Sequence, residues 1–568
     1  MSQQVVLVLD CGSTNITAVA VDTGGRPVAS ASEPNGPAAQ VGGREGWLVW
    51  DMDRLWKTVS SLSRKVCSEV GGKNVRAVTI TTWGADGAPV ATDGALTYPP
   101  IAWECPRTSA LSGQVSKAEA RRLYDITGYQ VISFNTLFKL KWLRENAPEA
   151  LERADTWMMM PGLLSYRLCG EMSMDATSAS TMMVMDLRAS NEMPREPRCA
   201  SGPRRNPKGR GVFGWMPVSR GLGASDPLCA DAHAPWPAAK PTPSRPRGIP
   251  LEAPREAMWS AELLGAVGLD ESFFPPLLYP GAVIGRVSSA ASQDTAIPEG
   301  TPVIVAGHDT QFAPIGSGAR PDEAVLSSGT WEILMLRTGE FKPNYVGFSE
   351  GLLTELDAVR GLYNPQLLMM GSGVLEWVRE TLYGDVGDRA EVYGTMIEEA
   401  SRLKPGAGGV MMVPSFVPDA GPTKKHHTRG TVVGLGLAST RAHVYRAALE
   451  GLAFQLRDAL RILTAATGFE PAGIRVVGGG SRNELWNQIR ADACGIPVSV
   501  TGHKEATVLG AAIAAWVGAG RFESLQQGQR SLATETIVIE PSEDADAYGE
   551  LFERYVLLAP ALKDFYST

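Results

Sequence analysis

The stretch VVLVLDCGSTNITAVAVD, residues 5–22, sets two apolar runs on either side of a short polar turn. Val5 to Leu9 is uninterrupted, as a strand covered on both faces must be, and it ends at Asp10. CGSTN turns the chain and ITAVAVD returns it as a second buried strand. The construction recurs at residues 324–337, where AVLSS runs into GTWE and then ILML. Two matching hairpins about 300 residues apart predict an internal duplication, that is, two related α/β domains facing each other. Each turn combines glycine with a hydroxyl, Gly12, Ser13 and Thr14 in the first and Gly329 and Thr330 in the second, and each offers backbone N–H groups to an anion.

A third glycine-rich segment, IRVVGGGSRN at 474–483, reads as a strand, then Gly478, Gly479 and Gly480, then an amphipathic helix opening at Ser481 and closing near Gly495. In general terms this is a nucleotide-binding arrangement, although a GGG loop alone is equally a tight strand-to-helix turn. It does not fit G-x-G-x-x-G followed by an acid about 20 residues on, and the chain has no G-x-x-x-x-G-K-[ST], so dinucleotide and P-loop sites are disfavoured.

Two carboxylates stand where chemistry is expected. Asp10 closes a buried strand beside the first turn, where it can hold Mg²⁺ directly or through water while the turn faces phosphate oxygens; its plain alternative is a turn aspartate. Asp309, in VIVAGHDTQFA, again follows a buried strand and can take the proton of a substrate hydroxyl as that oxygen attacks the γ-phosphorus of ATP. His308 is a rival base by its ordinary pKa, but phosphoryl transfer depends mainly on positioning and charge, for which a weak base suffices. Trp83, Asp86, Trp103 and Arg107, in TTWGADG and IAWECPRT, combine aromatic faces with a carboxylate and a guanidinium, a set suited to a polyhydroxylated ligand; tryptophans are nevertheless core residues more often than not.

Composition bounds the rest. The 568 residues are 44% hydrophobic and 20% charged with a net charge of −8, enough apolar content for sizeable cores and no sign of a disordered or disulfide-built protein. The acidic balance argues against a nucleic-acid partner. Seven cysteines without a C-x-x-C suggest a reducing compartment. Met1 to Leu9 has no basic residue before its apolar run and so is not read as a secretory signal. The small-apolar stretch near Ala506 to Gly520 is too short to span a bilayer and reads as a packed helix, which leaves a cytoplasmic protein with no membrane partner as the expectation.

One segment departs from the remainder. Residues 191–256 hold 13 of the 39 prolines, 11 Lys+Arg and 6 Asp+Glu, and no apolar periodicity runs through them. They read as a loosely held insertion rather than a basic docking arm, and the spacing of Cys199, Cys229 and His233 matches no zinc pattern.

Taken in order, LVLDCGSTN, TTWGADG, WECPRT, SFNTLFKLKWL, AGHDTQFA, LSSGTWEILM, GLYNP, GSGVLEWVR, YRAALEGL and VVGGGSRNELWNQI resemble the FGGY family of carbohydrate kinases, within the larger actin, Hsp70 and sugar-kinase fold. The resemblance covers about Val5 to Phe522 except the 191–256 segment. It implies two actin-like (ribonuclease H-like) domains with a central cleft: an N-terminal domain over 1–318, a C-terminal domain over 319–550, and a tail over 551–568. It implies ATP and Mg²⁺ as cofactors, with Asp10, Gly12, Ser13 and Thr14 as the first phosphate loop, Gly329 and Thr330 as the second, Gly478, Gly479, Gly480 and Asn483 lining the adenosine pocket, and Mg²⁺ near Asp10. Asp309 would be the general base, and Trp83, Asp86 and Trp103 would face the sugar. The activity implied is phosphorylation of a ketose, L-fuculose at its 1-hydroxyl ahead of rhamnulose, ribulose or xylulose, by a protein whose oligomeric state is open, a homo-oligomer included. The family usually carries Arg or Lys three residues after the Thr of the first loop; here that position is Thr17. Thr17 and the insertion together motivate a rival reading, a catalytically weak sugar- or ATP-binding relative. An actin- or Hsp70-like ATPase is a third, disfavoured by WGADG and AGHDT.

Overall fold

The computed structural model describes residues 4–188 and 258–566, apart from 388, 418–420, 423–425, 503–504 and 534. Residues 191–256 thus lie outside the described residues, Glu256 and the three metal-ligand candidates included.

Two mixed sheets organise the chain. The first runs, edge to edge, Val283–Arg286, Pro302–His308, Val75–Thr82, Val5–Cys11, Asn15–Asp22, Pro27–Pro34. Val5–Cys11 pairs antiparallel with Asn15–Asp22 and parallel with Val75–Thr82, which in turn lies parallel to Pro302–His308. The second runs Leu353–Leu356, Tyr363–Met370, Trp331–Met335, Glu323–Ser328, Gly473–Val477, Val498–Thr501, Thr536–Ile539. Here Glu323–Ser328 is antiparallel to Trp331–Met335 and parallel to Gly473–Val477. Both sheets therefore share a core of three antiparallel strands followed by two parallel ones, with the two hairpins in equivalent places, as a duplication requires.

The continuous apolar run of the first strand is explained by what covers it. Val5, Leu7, Leu9 and Cys11 point to one face, into a cluster with Trp56, Val59 and Leu62 of helix Met52–Val70. Val6 and Val8 point to the other face and pack with Val508, Leu509 and Ile513 of helix Ala506–Gly518. That helix lies in sequence between two strands of the second sheet, Val498–Thr501 and Thr536–Ile539, but packs on the first sheet, so it is buried nearly all round, which accounts for its Ala-rich, uniformly apolar composition. It crosses the short helix Ala313–Gly316 at two glycines: a Cβ on Gly316 would collide with the Ala506 carbonyl, and one on Gly510 with the Phe312 carbonyl. Among the described residues no helix is long and apolar enough to cross a membrane.

A second join lies elsewhere. Phe341, Leu356 and Tyr363, from the second half, share one apolar cluster with Tyr129, Phe138 and Trp157 of the first. At the C-terminus, helix Ala545–Tyr555 runs through the boundary expected at residue 550. Tyr548, Phe552 and Tyr555 are buried together against helix Arg441–Thr467, so residues 551–555 belong to the second half rather than to a separate tail.

Candidate active site

The register places Asp10 opposite Thr17 on one side and Thr81 on the other. Thr81 Oγ1 donates to Asp10 Oδ1 at 2.7 Å. Burial pushes the Asp10 carboxyl up to about 7, with the negative charges of Asp309 and Glu505 adding to the effect and the Thr81 bond opposing it. Thr17 turns to the edge strand and shares a 2.9 Å hydrogen bond with Ser32 Oγ, so that position brings no cation to the first turn.

The two phosphate-loop candidates are built alike. In the first, Asn35 binds the Gly12 carbonyl with its side chain (2.8 Å) and the Thr14 carbonyl with its backbone N–H (2.7 Å). In the second, the start of helix Ser372–Leu382 does the same work: the Ser372 amide donates to the Gly329 carbonyl at 2.8 Å and the Gly371 amide to the Thr330 carbonyl at 3.0 Å. Tying off carbonyls removes the negative ends of the turn dipoles, the condition for receiving an anion. Beside the second turn, Gly478 adopts φ +87° with its Cα hydrogen side facing the Ser328 carbonyl, where a Cβ would stand 2.6 Å away. Under this loop lies a fully buried network in which Arg490 pairs with Glu332 and both bond Ser328 Oγ, Glu332 at 2.6 Å and Arg490 at 2.8 Å. The loop continues as a 3₁₀ turn at Gly479–Arg482, and the helix begins at Glu484, later than the expected Ser481. Asn483 caps it, accepting from the Trp486 amide at 3.0 Å and donating to the Tyr445 hydroxyl at 3.1 Å. Both ends of its amide are thus engaged, one with the helix start and the other with Tyr445 of helix Arg441–Thr467.

Asp309 follows strand Pro302–His308 and keeps 30% of its side chain accessible. Its Oδ1 accepts from the Thr310 amide at 2.6 Å and lies 3.5 Å from His308 Nε2, and among the described residues Oδ2 has no hydrogen-bond partner. Burial raises its pKa, while the His308 charge and the Thr310 bonds restrain the rise. Burial works against protonation of His308, but Glu355, Asp309 and Asp175 outweigh it and bring the imidazole up to about 9. A histidine already protonated at neutral pH is no proton acceptor, so Asp309 is the reachable base of the pair. The strand end itself is tight: Gly307, at φ +139°, abuts the side chains of Asp175 and Thr177, which a Cβ would overlap.

The expected sugar residues divide. Trp103 is 38% exposed, with an edge on Phe134. Trp83 is buried against Trp50, ring centroids 4.1 Å apart. Asp86 is wholly buried: Oδ2 accepts from Trp50 Nε1 (2.6 Å), Trp83 Nε1 (2.8 Å) and the Trp103 amide (3.1 Å), and Oδ1 pairs with Lys139. Its oxygens are saturated by the protein, so Asp86 fixes the tryptophans instead of binding sugar hydroxyls, which corrects the expectation. Arg107 is likewise structural, bonded to Tyr98 and the Leu48 carbonyl, with its guanidinium 4.4 Å from the Trp47 ring centroid and 5.1 Å from that of Trp142. Lys139 was not foreseen: its ammonium also bonds the carbonyl of Ala85, a non-glycine at φ +68°. A backbone strained in this way and pinned from three sides, by Lys139, Thr136 and Thr181, is a feature of functional sites.

Two family descriptions match this chain: "FGGY family of carbohydrate kinases, N-terminal domain" over residues 5–191 and 255–316, and the corresponding "C-terminal domain" over 324–519. The chain belongs to the FGGY family of carbohydrate kinases. The gap in the N-terminal match leaves out most of the proline-rich segment. An L-fuculokinase of Escherichia coli (strain K12) is 36% identical over 536 residues, covering 94% of this chain and 96% of that protein. One of Salmonella typhi is 37% identical over 533 residues, covering 93% and 95%. Among solved structures, the xylulose kinase from Rhodospirillum rubrum aligns over 100% of both chains with a TM-score of 0.75 at 21% identity, a likeness of fold. This FGGY chain is accordingly an ATP-dependent sugar kinase with two actin-like domains.

Proposed function

We propose that the chain transfers the γ-phosphoryl group of ATP to the 1-hydroxyl of L-fuculose in the cytoplasm, as a step of fucose breakdown. The choice of L-fuculose among ketoses rests on the two L-fuculokinases, matched along nearly their whole length. The observation that carries the chemistry is Asp309, an accessible carboxylate with one free oxygen, held beside a cationic histidine at a strand end and close enough to Asp10 to raise its pKa.

In this reading the sugar lies against the exposed face of Trp103, whose backbone is pinned by Asp86. Asp309 Oδ2 accepts the proton of the attacking hydroxyl. The turns at Gly12–Thr14 and Gly329–Thr330 hold the phosphates through their amides, and the Gly478–Gly480 loop lets the nucleotide approach the second sheet closely. The donor set fits Mg²⁺: Asp10 is a carboxylate among like charges, and among the described residues no cluster of three His, Cys, Asp or Glu could cage a metal. That suits an ion bound mainly by phosphates and water with one protein carboxylate. When bound, Mg²⁺ would neutralise charge on the phosphate oxygens. With Thr17 in place of a basic residue, the first turn relies on its amides for the same purpose.

Asp309→Asn is expected to lower kcat at least about 1000-fold with the KM for sugar within a few-fold, since only the proton acceptor is lost. Coupled ADP-release assays over a panel of ketoses check this; a variant keeping a tenth of parental turnover sinks the assignment, and faster turnover of rhamnulose or xylulose sinks the choice of sugar.

A further inference from the structure

Glu355 belongs to edge strand Leu353–Leu356 of the second sheet, yet its fully buried carboxylate bonds only groups of the first half among the described residues. Oε2 lies 3.0 Å from His308 Nδ1 and accepts from Gln311 Nε2 at 2.7 Å, and Oε1 accepts from the Tyr129 hydroxyl at 3.0 Å. His308 and Gln311 bracket Asp309 in sequence. The His308 ring is therefore strung between two carboxylates, Nδ1 to Glu355 and Nε2 to Asp309, while Thr177 Oγ1 receives its backbone N–H at 2.9 Å. The remaining charged neighbour of the ring is Asp175. The strand that supplies Glu355 is itself docked: the Thr354 amide donates to the Gly128 carbonyl at 2.8 Å, and Gln130 reaches the Phe348 and Leu352 carbonyls.

We propose that Glu355 is a positioning residue for phosphoryl transfer, a carboxylate lent by the second half of the molecule that fixes His308 and Gln311 and thereby sets where the Asp309 carboxylate stands. A group acting this way touches neither sugar nor nucleotide, so its loss lowers turnover and spares binding, because a misplacement of about 1 Å at the reacting atoms costs on the order of 100-fold. The inference rests on Asp309 being the base.

The test is steady-state kinetics of Glu355→Gln, His308→Gln and the double variant, each with its thermal melt. Glu355→Gln is expected to lower kcat about 30-fold with both KM values within threefold. The double variant should fall no more than about threefold below the worse single, since each change removes the same contact. Retention of more than a third of kcat by Glu355→Gln overturns the proposal, and so does a double variant whose loss equals the product of the singles. Should Glu355→Gln fail to fold, His308→Gln decides alone: a kcat loss with native melt and KM supports the contact, and parental kcat overturns it. Asp309→Asn, run alongside, separates the two claims. If it is inactive while Glu355→Gln is normal, only the positioning role falls; if it is active, the base assignment falls and takes the proposal with it.

Discussion

Asp10 shows a residue whose fold and whose use pull in opposite directions. Its carboxyl sits at about 7 in the folded chain, above its ordinary range, so the native state binds this proton more tightly than the unfolded state does. The stability it contributes is full below about pH 4 and is lost as pH rises through 7. Asp10→Asn, which carries no charge at any pH, is therefore expected to melt above the parent at pH 8 without nucleotide or Mg²⁺, with the gap much narrower at pH 5. Phosphoryl transfer should fall at least about 100-fold in the same variant. Calorimetry at the two pH values checks the first part; a parent that melts higher at pH 8 refutes it. The contribution of His308 falls as pH rises toward about 9 in parent and variant alike, so it drops out of the comparison between them.

At the scale of elements, strand ends decide the site, and they do so through backbone that must come close. Gly307 is the clearest case, since positive φ and the Asp175 and Thr177 side chains both exclude a Cβ. Gly307→Ala is expected to destabilise the fold by about 2–4 kcal/mol, read from urea unfolding, and to displace the adjoining Asp309; a loss under about 0.5 kcal/mol would show that the strand end has room. This scale also separates what the sequence announces from what it hides. The two hairpins and the triple glycine are legible because glycine-and-hydroxyl turns are local chemistry. The partners of buried charges are not: Glu355 meets a residue 47 positions away, Lys139 one 53 away and Arg490 one 158 away. Asp86 reads in the sequence as a ligand-facing carboxylate for the same reason: Trp50 and Lys139, which saturate it, surround it only once the chain has folded. Two Lys in the apolar run LFKLKWL, of which Lys139 is the buried one, and a lone Glu in LLTELDAV were the available signals.

For the whole molecule, helix Ala506–Gly518 and the Glu355 strand make two joins between halves that each carry part of the site. In sequence, the proline-rich segment belongs to neither. Residues on its two flanks, Met185–Asp186 and Met258–Trp259, pair as an antiparallel ladder, Asp186 opposite Met258. Replacing residues 192–254 with a short Gly/Ser linker is thus expected to leave the melting temperature within about 3 °C and kcat within about twofold. Aggregation, or loss of a cooperative melt, would show that the segment is structural. Loop closure adds only about 0.6 kcal/mol for each doubling of length, so a ladder that fixes both ends makes the sequence between them thermodynamically inexpensive to lengthen or exchange. The same two strands accordingly mark a port for engineering: a fluorescent reporter or an affinity module whose termini lie close together can be spliced between them, giving an enzyme that is tagged internally.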